Sequence, residues 1–132
     1  MGQQQLLLLV LSAIIVGVSV VIGINMFSQS AGQANQDAVL QDIMTISSRA
    51  QEWYRKPTLL GGGGRTFVGM TLADLNFVTP NNNGSYTLSG LQVDQFTVTG
   101  LGLEDQDNDG NPLQIQVVVE ADTVNTPTFL NR

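Results

Sequence analysis

Residues 1–27, "MGQQQLLLLVLSAIIVGVSVVIGINMF", hold no charged side chain, and the role of this stretch decides the architecture of the whole chain. A secretory signal has a basic start, a short apolar core and a small-residue cleavage site. Here Gly2, Gln3, Gln4 and Gln5 precede the run without a Lys or Arg, and the apolar part continues from Leu6 to Phe27, broken only by Ser12, Gly17, Ser19, Gly23 and Asn25. As a helix this run rises about 33 Å, the hydrocarbon thickness of a bilayer. The stretch therefore reads as a helix able to span a membrane and retained in the protein, rather than as a discarded peptide.

No helix breaker follows Phe27. In "SQSAGQANQDAVLQDIMTISSRAQEWYRK", Ala31, Ala34, Ala38, Val39, Ile43, Ile46, Ala50 and Trp53 form one apolar stripe at spacings of three and four, with Gln33, Gln36, Asp37, Gln41, Arg49 and Glu52 lying off it. Gly32 is the weak point, costing roughly 1 kcal/mol of helix preference against Ala. Arg55 and Lys56 complement the negative end of the helix dipole, and Pro57 blocks continuation. The expectation is one helix from Gln3 to Lys56, within a 1–56 unit that divides into an apolar segment (1–27) and an amphipathic segment (28–56). Residues 57–132 are left for a single β-rich domain.

The chain of 132 residues has no cysteine and no histidine. That excludes disulfides, thiolate metal sites and redox pairs, and it removes the commonest general base and zinc ligand. No enzymatic activity is expected. The net charge is −6, and all acids except Asp37 and Asp42 lie beyond Arg49. An acidic exposed part argues against nucleic-acid binding, which needs clustered Lys and Arg.

The run Gly61–Gly64 lacks the Lys-Ser/Thr and the following helix of a phosphate-binding loop and reads as a flexible connection. Thr71 is placed to cap a single turn, and "TPNNNGSYTLSG" is rich in turn formers. Three β-like segments follow: "SYTLSGL", "QFTVTGLGL" and "PLQIQVVVEAD". Phe96, Val98 and Leu101 of the second, and Leu113, Ile115 and Val117 of the third, are expected on a buried face against Thr97, Thr99, Gln114 and Gln116. A sheet of three or four strands needs a second layer, and Val39, Ile43, Ile46, Ala50 and Trp53 are the residues that fit it. The fold class is α+β: a long N-terminal helix with a protruding apolar first half, its second half packed on a small antiparallel sheet.

This organisation, carried chiefly by residues 1–57, resembles the type IV pilin family. The resemblance implies a leader cut by a prepilin peptidase, N-terminal methylation, insertion in the inner membrane before assembly, and polymerisation with other copies by dedicated machinery. The product would be an extracellular, cell-surface filament used for roles such as adhesion. Met1 would be the mature N-terminus; cleavage after Gly2 is the alternative. Filament assembly would fall to Met1, Gln5, Leu6, Leu7, Leu9, Val10, Ile14, Ile15, Val18, Val21, Ile22 and Phe27. Gln5 stands where the family usually has an acid, and an amide can accept a hydrogen bond but cannot cancel the charge of a neighbouring terminal amine. Many archaeal pilins and archaellins share that departure. The C-terminal disulfide loop of many bacterial pilins is also missing. Despite Gly17 and Gly23, continuous helix is expected, since an unwound backbone in a bilayer would be unsatisfied. The alternative reading is a membrane-anchored pseudopilin of a secretion system, or a single-span anchored extracellular binding domain.

Two further motifs stand out. Asp105, Asp107 and Asp109 followed by Gly110 match the first half of a calcium loop, but the twelfth position is Gln116, where a bidentate Glu is needed. Calcium is thus the one candidate cofactor, and an Asp/Asn/Gly hairpin turn is the competing explanation. Asn83-Gly84-Ser85 is a glycosylation sequon at Asn83 and equally a turn.

Overall fold

The computed structural model describes residues 2–132. A single helix, α1, runs from Gly2 to Arg55, a length of about 80 Å. It is unbroken at Gly17, Gly23 and Gly32, and its ends fall within a residue of those expected from the sequence. Pro57 ends it, and a 3-10 turn over Thr58–Leu60 follows. The glycine run then folds back over the helix terminus instead of forming a loose connection. Gly63 N–H donates to Trp53 O (2.8 Å), Gly64 N–H to Lys56 O (3.0 Å) and Arg65 N–H to Tyr54 O (2.7 Å), satisfying carbonyls that a helix end leaves without partners.

Four strands form an antiparallel meander in the order β1-β2-β3-β4: β1 Gly84–Ser89, β2 Gln95–Gly102, β3 Gln114–Glu120 and β4 Thr128–Asn131. The register places Thr87 opposite Thr99 and Val98 opposite Val117, and Ile115 opposite Phe129. The alternation of β3 buries Ile115 and Val117 as expected, and Leu113 is buried just ahead of the strand. In β2 the alternation buries Phe96 and Val98 but then Gly100, so Leu101 faces outward and is exposed. The expected inward position of Leu101 is therefore corrected: an inward residue two positions beyond Val98 is Gly100. The fourth strand is an addition to the three segments read from the sequence.

The second half of α1 is the layer that covers this sheet. Val39, Ile43, Ile46 and Ala50 are fully buried, as their spacing predicts. Gly100 permits the approach, since a Cβ there would lie 2.8 Å from Val39 Cγ1 and 3.0 Å from Ile43 Cδ1. Ser47 is buried too, and its Oγ donates to Ile43 O at 2.7 Å, so no hydroxyl is left unpaired. Phe67, Met70 and Leu75, from the connection between helix and sheet, complete the core. Phe67 lies between Tyr54 and Phe96, with ring centroids 4.7 and 4.9 Å away.

Candidate assembly interface

The first half of α1 takes no part in this core. Leu6, Leu7, Leu9, Val10, Ile14, Ile15, Val18, Val21, Ile22 and Phe27 are all more than half exposed, Phe27 at 77%. They lie all around the helix, so no face of the segment is packed against its own chain. Met1 lies outside the described residues. Ser12 Oγ donates to Leu8 O and Ser19 Oγ to Ile15 O, each at 2.8 Å. Both hydroxyls are thereby satisfied inside the helix, and the lateral surface is apolar from Leu6 to Ile24. The segment is long and apolar enough to cross a membrane.

Burying an aliphatic side chain is worth roughly 1.5–3 kcal/mol, whereas a whole domain is stable by only about 5–15 kcal/mol. Half a dozen of these residues left in water already match that stability. Lipid or another apolar surface would relieve that cost.

The junction between the two halves of α1 is where the β2–β3 loop crosses the helix. A Cβ on Gly32 would lie 2.9 Å from Gln106 Cβ, so the glycine that weakens the helix in isolation is the seat of that loop. Asn35, one turn on, ties two segments together: its Nδ2 donates to Asn83 O (2.9 Å) and its Oδ1 accepts from Leu103 N–H (3.0 Å). No known protein family, curated protein or solved structure matches the chain.

Two turns above Asn35, the Asp42 carboxylate receives three donors on Oδ2: Tyr86 Oη at 2.6 Å, and Asn81 Nδ2 and Asn83 Nδ2 at 2.9 Å each. Burial pushes this carboxyl up, but the hydrogen bonds outweigh it and leave the group below the usual range. Burial and the same carboxylate raise the Tyr86 phenol above its ordinary value. The sequon residue Asn83 is thus half-buried with its amide engaged on Asp42, the atom a glycan would occupy.

In the β2–β3 loop the carboxylates of Asp105, Asp107 and Asp109 converge within 4.8 Å of one another. Backbone N–H groups already serve them: Gly110 donates to Asp105 Oδ2 (2.8 Å) and Asn111 to Asp109 Oδ1 (2.8 Å). Desolvation, a hydrogen bond with Asp105 and the negative neighbours hold Asp107 above the usual carboxylate range, while the Asn111 N–H holds Asp109 below it. The three side chains could serve as ligands to a hard cation, but such a cation takes six to eight oxygens. Gln116 pairs with Thr99 inside the sheet, and no twelfth-position carboxylate completes the frame.

At the far end of α1, Trp53 is half-buried beside Gly63 and adjoins the core. It lines a cleft of about 330 Å³ with Arg49, Glu52, Lys56 and Asp74. Arg49 Nη1 donates to Leu75 O and Asn76 O, which anchors the turn after Thr71. That turn is closed by Thr71 and Asp74, each backbone N–H donating to the other's side chain, the capping role expected of Thr71. The Asp42–Tyr86 pair and the seat at Gly32 were not visible in sequence, because both join residues far apart in the chain.

Proposed function

We propose that this chain is a structural, non-enzymatic subunit of the type IV pilin kind, which resides in a membrane through residues 6–27 and then polymerises through them into an extracellular filament. The observation that carries this reading is the exposed apolar half of α1, together with its rigid continuity with the domain. An anchor alone needs no such continuity. Because α1 has no hinge between Phe27 and the buried Val39, copies that bundle their apolar halves also fix their domains in a defined relation. Such a contact, repeated between non-equivalent surfaces, propagates instead of closing.

The second reading, a single-span anchored domain or pseudopilin, is favoured by the match between the apolar run and one bilayer. Electron microscopy of sheared cell-surface material separates the two. Long filaments made of this chain support the polymer, and retention of the chain in the membrane fraction without filaments supports the anchor.

A further inference from the structure

Asn83-Gly84 is the one Asn-Gly pair in the chain. Such a pair is chemically labile, because glycine has no side chain to keep its backbone nitrogen away from the preceding amide. The fold nevertheless uses both residues. A Cβ on Gly84 would run into Leu101 O of the neighbouring strand. Asn83 links α1 to the start of β1 through two groups: its Nδ2 donates to Asp42 Oδ2 and its O accepts from Asn35 Nδ2, each at 2.9 Å. Asn81 closes the same turn over the pair. Its Oδ1 accepts from Asn83 N–H (2.9 Å) and Gly84 N–H (3.1 Å), and its own N–H donates to Gly84 O (2.9 Å). Gly84 itself is buried.

We infer that Asn83 is a deamidation site that the fold holds in check, and that it reacts only when the start of β1 lifts from α1. The reaction needs Gly84 N to lose its proton and attack Asn83 Cγ. A bond from Gly84 N to Cγ forms, the Cγ–Nδ2 bond breaks, and Nδ2 departs as ammonia with the proton that Gly84 gives up. The succinimide so formed takes up one water: addition at Cγ leaves aspartate, and addition at the main-chain carbonyl carbon leaves isoaspartate. In the closed fold both partners of the first step are held. The Gly84 N–H is buried and bonded to Asn81, and the leaving amide is tied to Asp42 on the helix. Local opening releases them together. The change is one-way. Aspartate sets a carboxylate where an N–H donor met Asp42, and two like charges at that distance disfavour reclosure. Isoaspartate lengthens the main chain by one carbon at the entry to β1. An opening of the helix–sheet junction is thereby recorded as a covalent change, in an anchored or a polymerised chain alike.

The test incubates the full-length chain in detergent, and the same chain in guanidinium chloride, in mildly alkaline buffer, and follows Asn83 by peptide mass spectrometry. The folded chain is expected to lose the Asn83 amide more slowly by about tenfold or more, the factor that each 1.4 kcal/mol of opening free energy gives. Asn81→Ala, which frees both N–H groups of the pair, is expected to bring the folded rate toward the denatured one. Asn82→Ala, at the exposed neighbouring side chain, is expected to leave it unchanged. Melting curves establish that each variant is folded, and Asn35→Ala, which frees Asn83 O, replaces Asn81→Ala if that chain does not fold. Equal rates in the folded and denatured wild-type chain overturn the inference, as does a folded Asn81→Ala or Asn35→Ala chain that reacts no faster than wild type.

Discussion

Asp42 accepts three hydrogen bonds on one oxygen and so binds helix α1 to the segment ahead of β1. Its folded pKa lies below the ordinary 3.8, so the stabilisation is complete above that value and is lost as pH falls through the lower folded one. Thermal melts of detergent-solubilised protein should show this loss on the acid side, and an Asp42→Asn variant should flatten it. Asp42→Ala at neutral pH should cost about 1.5–3 kcal/mol, the worth of hydrogen bonds to a charged group. None of this was legible in the sequence, where Asp42 is one polar residue between Gln41 and Ile43, and Tyr86 stands forty-four positions away. The convergence of Asp105, Asp107 and Asp109 was legible, because alternate residues ahead of a glycine turn point the same way.

The elements divide by whether their signal is local. The stripe Val39, Ile43, Ile46 and Ala50 and the alternation of β3 were readable because periodicity reports a buried face directly. Strand β4, with four residues, is too short to show a period, and Phe67, Met70 and Leu75 reach the core through turns that impose none. Leu101 was placed inward because it is the apolar residue nearest the expected position, but the pleat gives that position to Gly100. Gly32 was read as a defect, and its reason lies in a loop more than seventy residues downstream. Gly32→Leu should therefore destabilise the domain by about 1–3 kcal/mol, as overpacking does, although leucine is the better helix former. A shift in melting midpoint checks it. Val18 is 53% exposed and touches no core, so Val18→Arg should leave the domain's melting unchanged. It should abolish filaments in electron micrographs, since a cation at the centre of an apolar helix costs about 2.5–3.5 kcal/mol in every copy.

The whole molecule is a rod of which only the upper half belongs to a folded core. The lower half is apolar on all sides, internally satisfied at Ser12 and Ser19, and rigidly joined to a small sheet whose net charge is acidic. The proposed partners of this apolar surface are a bilayer before assembly and copies of the chain afterwards. The most direct test is a cryo-electron microscopy reconstruction of cell-surface material sheared from cells that make this chain. The expected result is helical filaments of this chain, with residues 6–27 as continuous helix bundled at the axis and the β-sheet domains outside. Shearing that releases no such filaments, with the chain held in the membrane fraction, or filaments whose axis is built from the sheet domain, would contradict it.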